Sequence, residues 1–320
     1  MYKPTSSTVW KGRIDAADGD LGLRWHQVVK PLDLSKELPI GHGSYAFLGF
    51  CCDEGVRRNQ GRIGAAQGPD AIRQALASMA VNLPRELSLY DAGDVLCADQ
   101  HLERAQEQLG KKVTTLLTSG YRTIVLGGGH ETAYGHYLGI QPVLGNALRL
   151  GIINFDAHFD LRNTSPQSSS GTPFRQIAIA YQEQDEKFSY LCLGIQEQSN
   201  TRQLFKTAEE VGADYVLADD LQFGVSEQVR EKVNTFLGEV DELYISIDLD
   251  VFSVAHAPGV SAPAALGLQP QVVVSLLKEI MASGKVLTLD VVELNPSLDR
   301  DQQTAKLAAS IIYQAVQNWC

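Results

Sequence analysis

Six side chains in three short segments have the types and spacing needed to hold metal ions. The segments are Leu126-Gly127-Gly128-Gly129-His130-Glu131, Asn154-Phe155-Asp156-Ala157-His158-Phe159-Asp160 and Ser246-Ile247-Asp248-Leu249-Asp250. Along an extended chain, residues i, i+2 and i+4 project to one side. Asp156, His158 and Asp160 therefore share a face, as do Asp248 and Asp250. Three consecutive glycines before His130 permit tight turning and close backbone approach, which brings the imidazole over a sheet edge. Any one of these motifs has an ordinary explanation: Asp-x-Asp is commonly a turn or helix cap, and a glycine run is commonly a loop. Together they do not, because four carboxylates gathered at one edge repel one another strongly unless a cation lies between them. Carboxylates with two imidazoles suit two hard to borderline divalent ions, Mn²⁺ being the natural choice. A structural zinc site would draw on Cys, and no Cys belongs to these segments.

Each segment follows an apolar, β-branched run. Such runs at 45–50, 87–90, 123–126, 151–155, 190–193, 215–217, 243–247 and 286–291 predict strands, most of them apolar on both faces as in a parallel sheet covered on both sides. Amphipathic stretches at 68–79, 101–118, 226–237, 269–282 and 304–319 predict helices between them. Ser226 is a plausible N-cap of the third, and Pro270 and Gly284 bracket the fourth. The alternation predicts one α/β layer sandwich, with 1–320 as a single domain and residues 1 to about 40 as an irregular N-terminal arm. In a parallel α/β sheet the carboxyl ends of the strands form the ligand crevice, where the three segments would converge.

Composition bounds the partners. The chain has 320 residues, 44% of them hydrophobic, enough for a sizeable core. A formal net charge of −11, with no basic run, argues against nucleic acid and anionic membrane surfaces. Four Asp on two divalent ions would make part of that acidity a site rather than a surface. Five cysteines, odd in number and without a CxxC pair, fit a reducing compartment and behave as small buried hydrophobes. No run approaches the length needed to span a bilayer, so a cytoplasmic setting is expected.

In these three segments, and in Gly68-Pro69-Asp70-Ala71-Ile72-Arg73 and Val292-Glu293-Leu294-Asn295-Pro296, the chain resembles the ureohydrolase (arginase/agmatinase) family. The resemblance implies a three-layer α/β/α sandwich around a mainly parallel eight-stranded sheet, a binuclear manganese cluster with two Mn²⁺ per chain, and a homo-oligomer. By the same resemblance His130 would bind one ion and His158 the other, Asp156 and Asp248 would bridge, and Asp160 and Asp250 would each complete one shell. Asp160 would also carry a proton, and Glu293 would lie near the bound amidine-like carbon.

Three departures from arginases and agmatinases point to a branch of the family. Ser170 stands where those enzymes have a loop His, Ser253-Val254 replaces the usual Asp-Pro, and Arg162 stands where arginases have a substrate-contacting Asn. With Arg57-Arg58-Asn59-Gln60-Gly61-Arg62, these features resemble the branch that serves histidine degradation, whose small-molecule substrate is N-formimidoyl-L-glutamate. A linear amidine with two carboxylates needs guanidinium partners near the metals, since Arg binds carboxylate bidentately. Arg162, two residues past Asp160, is the first candidate and Arg175 the next, with Arg57, Arg58 and Arg62 in supply. Gln196, Ser199 and Asn200 follow a strand and are candidates to line the pocket. A guanidino substrate (agmatine, arginine or a guanidino acid), a single-zinc amidohydrolase and a metal-free binding protein are the alternatives. The full set of six candidate ligands disfavours the last two. His136, six residues past His130, is expected to face elsewhere.

Overall fold

The computed structural model describes residues 1–6, 8–83, 87–144 and 148–319, so Cys320 lies outside the described residues. The strands in chain order are β1 (Tyr2–Lys3), β2 (Lys30–Pro31), β3 (Tyr45–Cys51), β4 (Leu89–Leu96), β5 (Arg122–Leu126), β6 (Leu150–Phe155), β7 (Ser189–Ile195), β8 (Asp214–Leu217), β9 (Glu242–Asp248) and β10 (Val286–Val292). Those from β3 onward, eight of them, run parallel in the order β4-β3-β5-β10-β9-β6-β7-β8, as the pattern of two-sided apolar runs predicts. The helices are α1 (Trp25–Val28), α2 (Glu54–Arg58), α3 (Gly68–Ala77), α4 (Leu102–Thr118), α5 (Thr132–Leu144), α6 (Pro173–Glu183), α7 (Arg202–Glu210), α8 (Glu227–Glu239), α9 (Pro270–Met281) and α10 (Gln303–Asn318).

Side-chain alternation divides the core into two layers. Ile245, Ile247 and Leu289 pack on one face with apolar residues of α3, α8, α9 and α10, among them Ile72, Val233, Leu276 and Ile312. Ala46, Leu48 and Tyr244 pack on the other with Leu109, Tyr137, Phe174 and Leu204 of α4 to α7. Ser226 caps α8 by accepting a hydrogen bond from Val229 N at 3.4 Å, and Gly284 ends the turn after α9 at φ 69°. No helix among the described residues is long and apolar enough to cross a membrane.

Three expectations need correction. The N-terminal segment is not merely an irregular arm. β1 pairs antiparallel and β2 parallel with β4, Tyr2 OH donates to Ala92 O at 2.8 Å, and Trp25 is fully buried beside Phe47. Strands of two residues leave no readable periodicity. The strand expected at 87–90 runs instead to Leu96, through Asp91, Gly93 and Asp94, whose residue types suggest a turn. It continues because the buried Arg73 of α3 meets Asp91 at 3.0 Å and Asp94 at 2.6 Å. Helices α5, α6 and α7, with the one-turn α1 and α2, are additional to the predicted five. Gly135, Gly139 and Pro142 obscure α5, yet the glycines are required, since a Cβ at Gly139 would lie 2.5 Å from Gly110 O of α4.

Candidate metal centre

β5, β10, β9 and β6 are consecutive neighbours in the sheet, and the chain leaves each at its carboxyl end directly into the polar segments. β5 delivers His130, β10 Glu293, β9 Asp248 and Asp250, and β6 Asp156, His158 and Asp160. Gly128 lets the β5 loop press against its neighbour, because a Cβ there would lie 1.7 Å from Cys52 O. The loop is pinned by Gly129 N donating to Cys52 O at 2.9 Å.

The six side chains converge. His130 Nδ1 lies 3.2 Å from Asp156 Oδ2, 3.0 Å from Asp160 Oδ2 and 3.0 Å from Asp248 Oδ2. His158 Nδ1 lies 3.4 Å from Asp156 Oδ1 and 3.1 Å from Asp250 Oδ2. Two sets of potential ligand atoms, His130/Asp156/Asp248 and Asp156/His158/Asp250, each fall within 4.8 Å of one another and share Asp156. His130 is buried, whereas the His158 side chain is 22% exposed and the Asp160 side chain 12%, so the cluster opens on that side. His130 Nδ1 is buried without a well-formed hydrogen bond. A ring nitrogen aimed at three carboxylate oxygens, its geometry unsatisfied by any of them, fits a divalent cation between them.

The electrostatics agree. Burial opposes a charged ring on His130, but the nearby carboxylates of Asp156, Asp160 and Asp248 outweigh it and hold its pKa well above the ordinary value. Burial likewise opposes charge on His158, and Asp250 and Asp156 overcome it. Burial, then the charges of Asp250 and Asp156, push the Asp248 carboxyl well up. In the metal-free chain, protons supply the positive charge that the carboxylates demand.

Glu293 is raised to about 8 by burial and then by the charge of Glu131, which burial itself raises from 4.5 to about 7. A folded-state pKa above the unfolded value means that the unfolded chain binds fewer protons in the interval between them, so stability falls as pH rises through it. The stability of the metal-free protein to urea should therefore be fullest below about pH 4.5 as far as these groups are concerned, and decline toward about pH 8. The raised His130 and His158 act in the same direction. Glu293→Gln should flatten the slope, and a stability that climbed between pH 5 and 8 would contradict this account.

Two side chains of the centre also have strained backbones: Asp160 at φ 48° and Glu293 at φ 68° lie in the left-handed region that non-glycine residues avoid. Glu293 Oε1 accepts from His130 N at 2.8 Å, while its Oε2 is buried without a partner.

The candidate substrate residues scatter. Arg162 is exposed, and its guanidinium has no hydrogen-bond partner among the described residues. Its Cδ lies 2.7 Å from where a Cβ on Gly171 would stand. Asn59 Nδ2 approaches the same point and donates to Ser170 Oγ at 3.3 Å. Arg57 binds Glu54, Nε to Oε2 at 2.6 Å, and Arg58 holds Glu54, Glu103 and Ser168 O, fastening the serine-rich loop. Arg62 donates to Val260 O at 2.7 Å and Ser261 O at 2.9 Å, so it braces the chain beyond β9. Arg175 lines a surface groove between α6 and α7 with Glu209 and Glu210. Asn200 braces the metal segment, accepting from Phe159 N at 3.1 Å and donating to Ala157 O at 2.9 Å. Gln196 is buried, with Oε1 held by Gln198 at 2.6 Å and Nε2 unpartnered. Ser199 occupies a short 3-10 turn beside it.

Sequence reasoning passed over Asn154, which donates to Asp156 Oδ2 at 2.9 Å, and Ser246, whose Oγ meets His130 Nε2 at 2.9 Å. The strand alternation could have flagged both, since each lies two residues before a metal-segment Asp. His136 faces away from the cluster but inward, against Asp290, rather than to an unrelated surface.

Two overlapping groups of carboxylate and imidazole side chains at the carboxyl ends of a parallel eight-stranded core define the class. The arginase family model matches residues 44–317, and the chain belongs to that family. It is 45% identical over 316 residues to the formimidoylglutamase of Geobacillus thermodenitrificans, covering 99% of this chain and 97% of that one. With the formimidoylglutamase of Chromobacterium violaceum the identity is 47% over 305 residues, covering 95% and 96%. Among solved structures, the formimidoylglutamase of Bacillus subtilis superposes with a TM-score of 0.79 at 25% identity over 94% of each chain. The Trypanosoma cruzi formiminoglutamase solved with Mn²⁺ gives a TM-score of 0.76 at 27% identity, over 88% of this chain and 95% of that one.

Proposed function

We propose that this chain is a formimidoylglutamase: a hydrolase that cleaves the C–N bond of N-formimidoyl-L-glutamate to give L-glutamate and formamide, with two Mn²⁺ held by His130, Asp156, His158, Asp160, Asp248 and Asp250. The observation that carries this reading is the convergence of two imidazole Nδ1 atoms on carboxylates that share Asp156. When bound, the ions supply a water activated as nucleophile near neutral pH and stabilise developing negative charge. One catalytic domain spans the chain, and its four described cysteines are free thiols, in keeping with a cytoplasmic setting.

The chain's own groups do the rest. Arg162 receives a substrate carboxylate at the rim. Water adds to the formimidoyl carbon, and the tetrahedral adduct breaks its bond to the glutamate nitrogen, which leaves as an amine after accepting a proton. Asp160, strained and at the open side of the cluster, takes that proton from the water and delivers it. Glu293 aims a buried carboxyl oxygen, free of other partners, at the amidine's positive charge. A free guanidinium at the rim repels arginine and agmatine, which favours a dicarboxylate over the guanidino alternative.

Elemental analysis together with a panel of amidine and guanidine substrates tests the proposal. Two Mn²⁺ per chain and turnover of formimidoylglutamate alone are expected; full activity with one zinc, or preference for agmatine, would overturn it. Arg162→Ala should raise KM for formimidoylglutamate by about tenfold or more, since a charge-assisted hydrogen bond contributes about 1.5–3 kcal/mol, with less change in kcat. An unchanged KM would remove Arg162 from substrate binding.

A further inference from the structure

Behind His130, away from the opening, lies a group of polar side chains that the reaction does not touch. Thr288 and Asp290 of β10 stand in register with Tyr244 and Ser246 of β9, on the same face of the sheet. α5 covers them with His136. All five are fully buried, in a layer otherwise filled by residues such as Leu48, Val125 and Ile152. Burying five polar side chains where apolar ones would pack is costly unless every group is satisfied. Here each is.

The donors can be assigned by elimination. Asp290 Oδ2 receives Tyr244 OH and His136 Nδ1 (2.8 Å), and Asp290 Oδ1 receives Ser246 Oγ at 2.7 Å. The other His136 nitrogen meets Thr288 Oγ1 at 2.8 Å, and Thr288 in turn donates to Thr123 O at 2.8 Å. Because the Ser246 hydroxyl gives its proton to Asp290, it can only accept from His130 Nε2 at 2.9 Å. With a metal ion in place of the Nδ1 proton, His130 would therefore keep a ring proton on Nε2 and turn its Nδ1 lone pair into the space that Asp156, Asp160 and Asp248 border.

We propose that Asp290, held in place by His136 and Tyr244, is a positioning residue that sets the tautomer and orientation of the metal ligand His130 through the hydroxyl of Ser246. This inference rests on the metal reading of the centre. Asp290→Asn makes the device fail in a defined way. The amide oxygen takes the side with two donors, facing Tyr244 and His136, and the amide NH₂ then faces Ser246. The serine must accept from it and turn its own proton to His130 Nε2, which drives the imidazole proton onto Nδ1, where a metal cannot bind.

The test is calorimetric titration of Mn²⁺ into the metal-stripped full-length chain, without substrate. The parent should bind two ions. Asp290→Asn should lose roughly tenfold to a hundredfold in affinity at the His130 position, the range seen when the group orienting a metal-bound histidine is removed. Ser246→Ala should lose a comparable factor, and Asp290→Asn added to Ser246→Ala should cost nothing further, because its route to the metal is already cut. Tyr244→Phe, which leaves Oδ1 on Ser246, should lower the melting temperature yet keep Mn²⁺ affinity within about twofold. A parent that binds no Mn²⁺ overturns both the metal reading and this inference. A parent that binds two ions, with Ser246→Ala unchanged in affinity or with the two losses multiplying in the double variant, overturns the positioning role alone. Should Asp290→Asn not fold, the Ser246→Ala and Tyr244→Phe pair still decides.

Discussion

Asp156→Ala is expected to empty both metal positions and to lower kcat by at least about three orders of magnitude, the loss of several kcal/mol of transition-state stabilisation. Asp156 is the residue common to both ligand sets, with Oδ2 toward His130 and Oδ1 toward His158. It also fixes the segment that carries His158, because Oδ1 accepts from His158 N at 2.7 Å. Removing it therefore withdraws a ligand from each ion and loosens a third. Asp250→Ala touches only one of the two sets and should leave the His130 position occupied. Asp156→Asn keeps the volume and an acceptor for His158 N, so it separates metal loss from misfolding: the variant should fold, bind less than one ion per chain and remain inactive. Elemental analysis after dialysis decides, and an Asp156→Asn chain that retained two ions would show that Asp156 bridges nothing.

The clarity of the centre in the sequence has a physical cause. The candidate ligands crowd into short windows just past strand ends, three of them between Asp156 and Asp160, and that crowding is what the sequence displays. The extended face expected there is not formed, since β6 ends at Phe155, Asp160 turns left-handed at φ 48° and Asp250 lies in a 3-10 turn over Leu249–Val251. Helices such as α8 and α9 were legible for a similar reason, since periodicity, cap and stop signals all lie in one short window. What escaped is what depends on distant partners. Asp91 and Asp94 resemble turn residues until Arg73 is placed between them. His136 and Asp290 are separated by 154 residues, and nothing local to either indicates that they meet under the sheet. Arginine roles were the least legible, because a long cationic side chain can reach many carbonyls and carboxylates. Arg62 is taken by the Val260–Ser261 backbone and Arg58 by Glu103, whereas the Arg162 guanidinium has no hydrogen-bond partner among the described residues.

Glu293→Gln should lower kcat by about a hundredfold to a thousandfold while moving KM much less, as expected for the loss of one preorganised electrostatic partner of the transition state. Glu293 occupies a left-handed backbone position at the end of β10, and only 5% of it is exposed. Its Oε1 is engaged by His130 N, but Oε2 has no donor among the described residues, and a buried carboxyl oxygen left without one costs about 1–3 kcal/mol. Strain and an unsatisfied oxygen at one residue are hard to explain by stability. A cationic amidine carbon arriving over the cluster would relieve both the missing partner and the repulsion from Glu131 that helps raise the Glu293 pKa. Glutamine keeps the length, and its carbonyl oxygen can still accept from His130 N, but it cannot ionise when the cationic substrate arrives, and it presents an NH₂ to the substrate. Metal binding should survive, since Glu293 belongs to neither ligand set. Ser170→Ala is the companion measurement. Ser170 accepts from Asn59 at the rim, and with Asp160 carrying the proton its loss should change kcat by no more than a few fold. A Glu293→Gln enzyme with native kcat would take electrostatic stabilisation away from this carboxylate, and an inactive Ser170→Ala would move the proton from Asp160 to the serine or to a water that it holds.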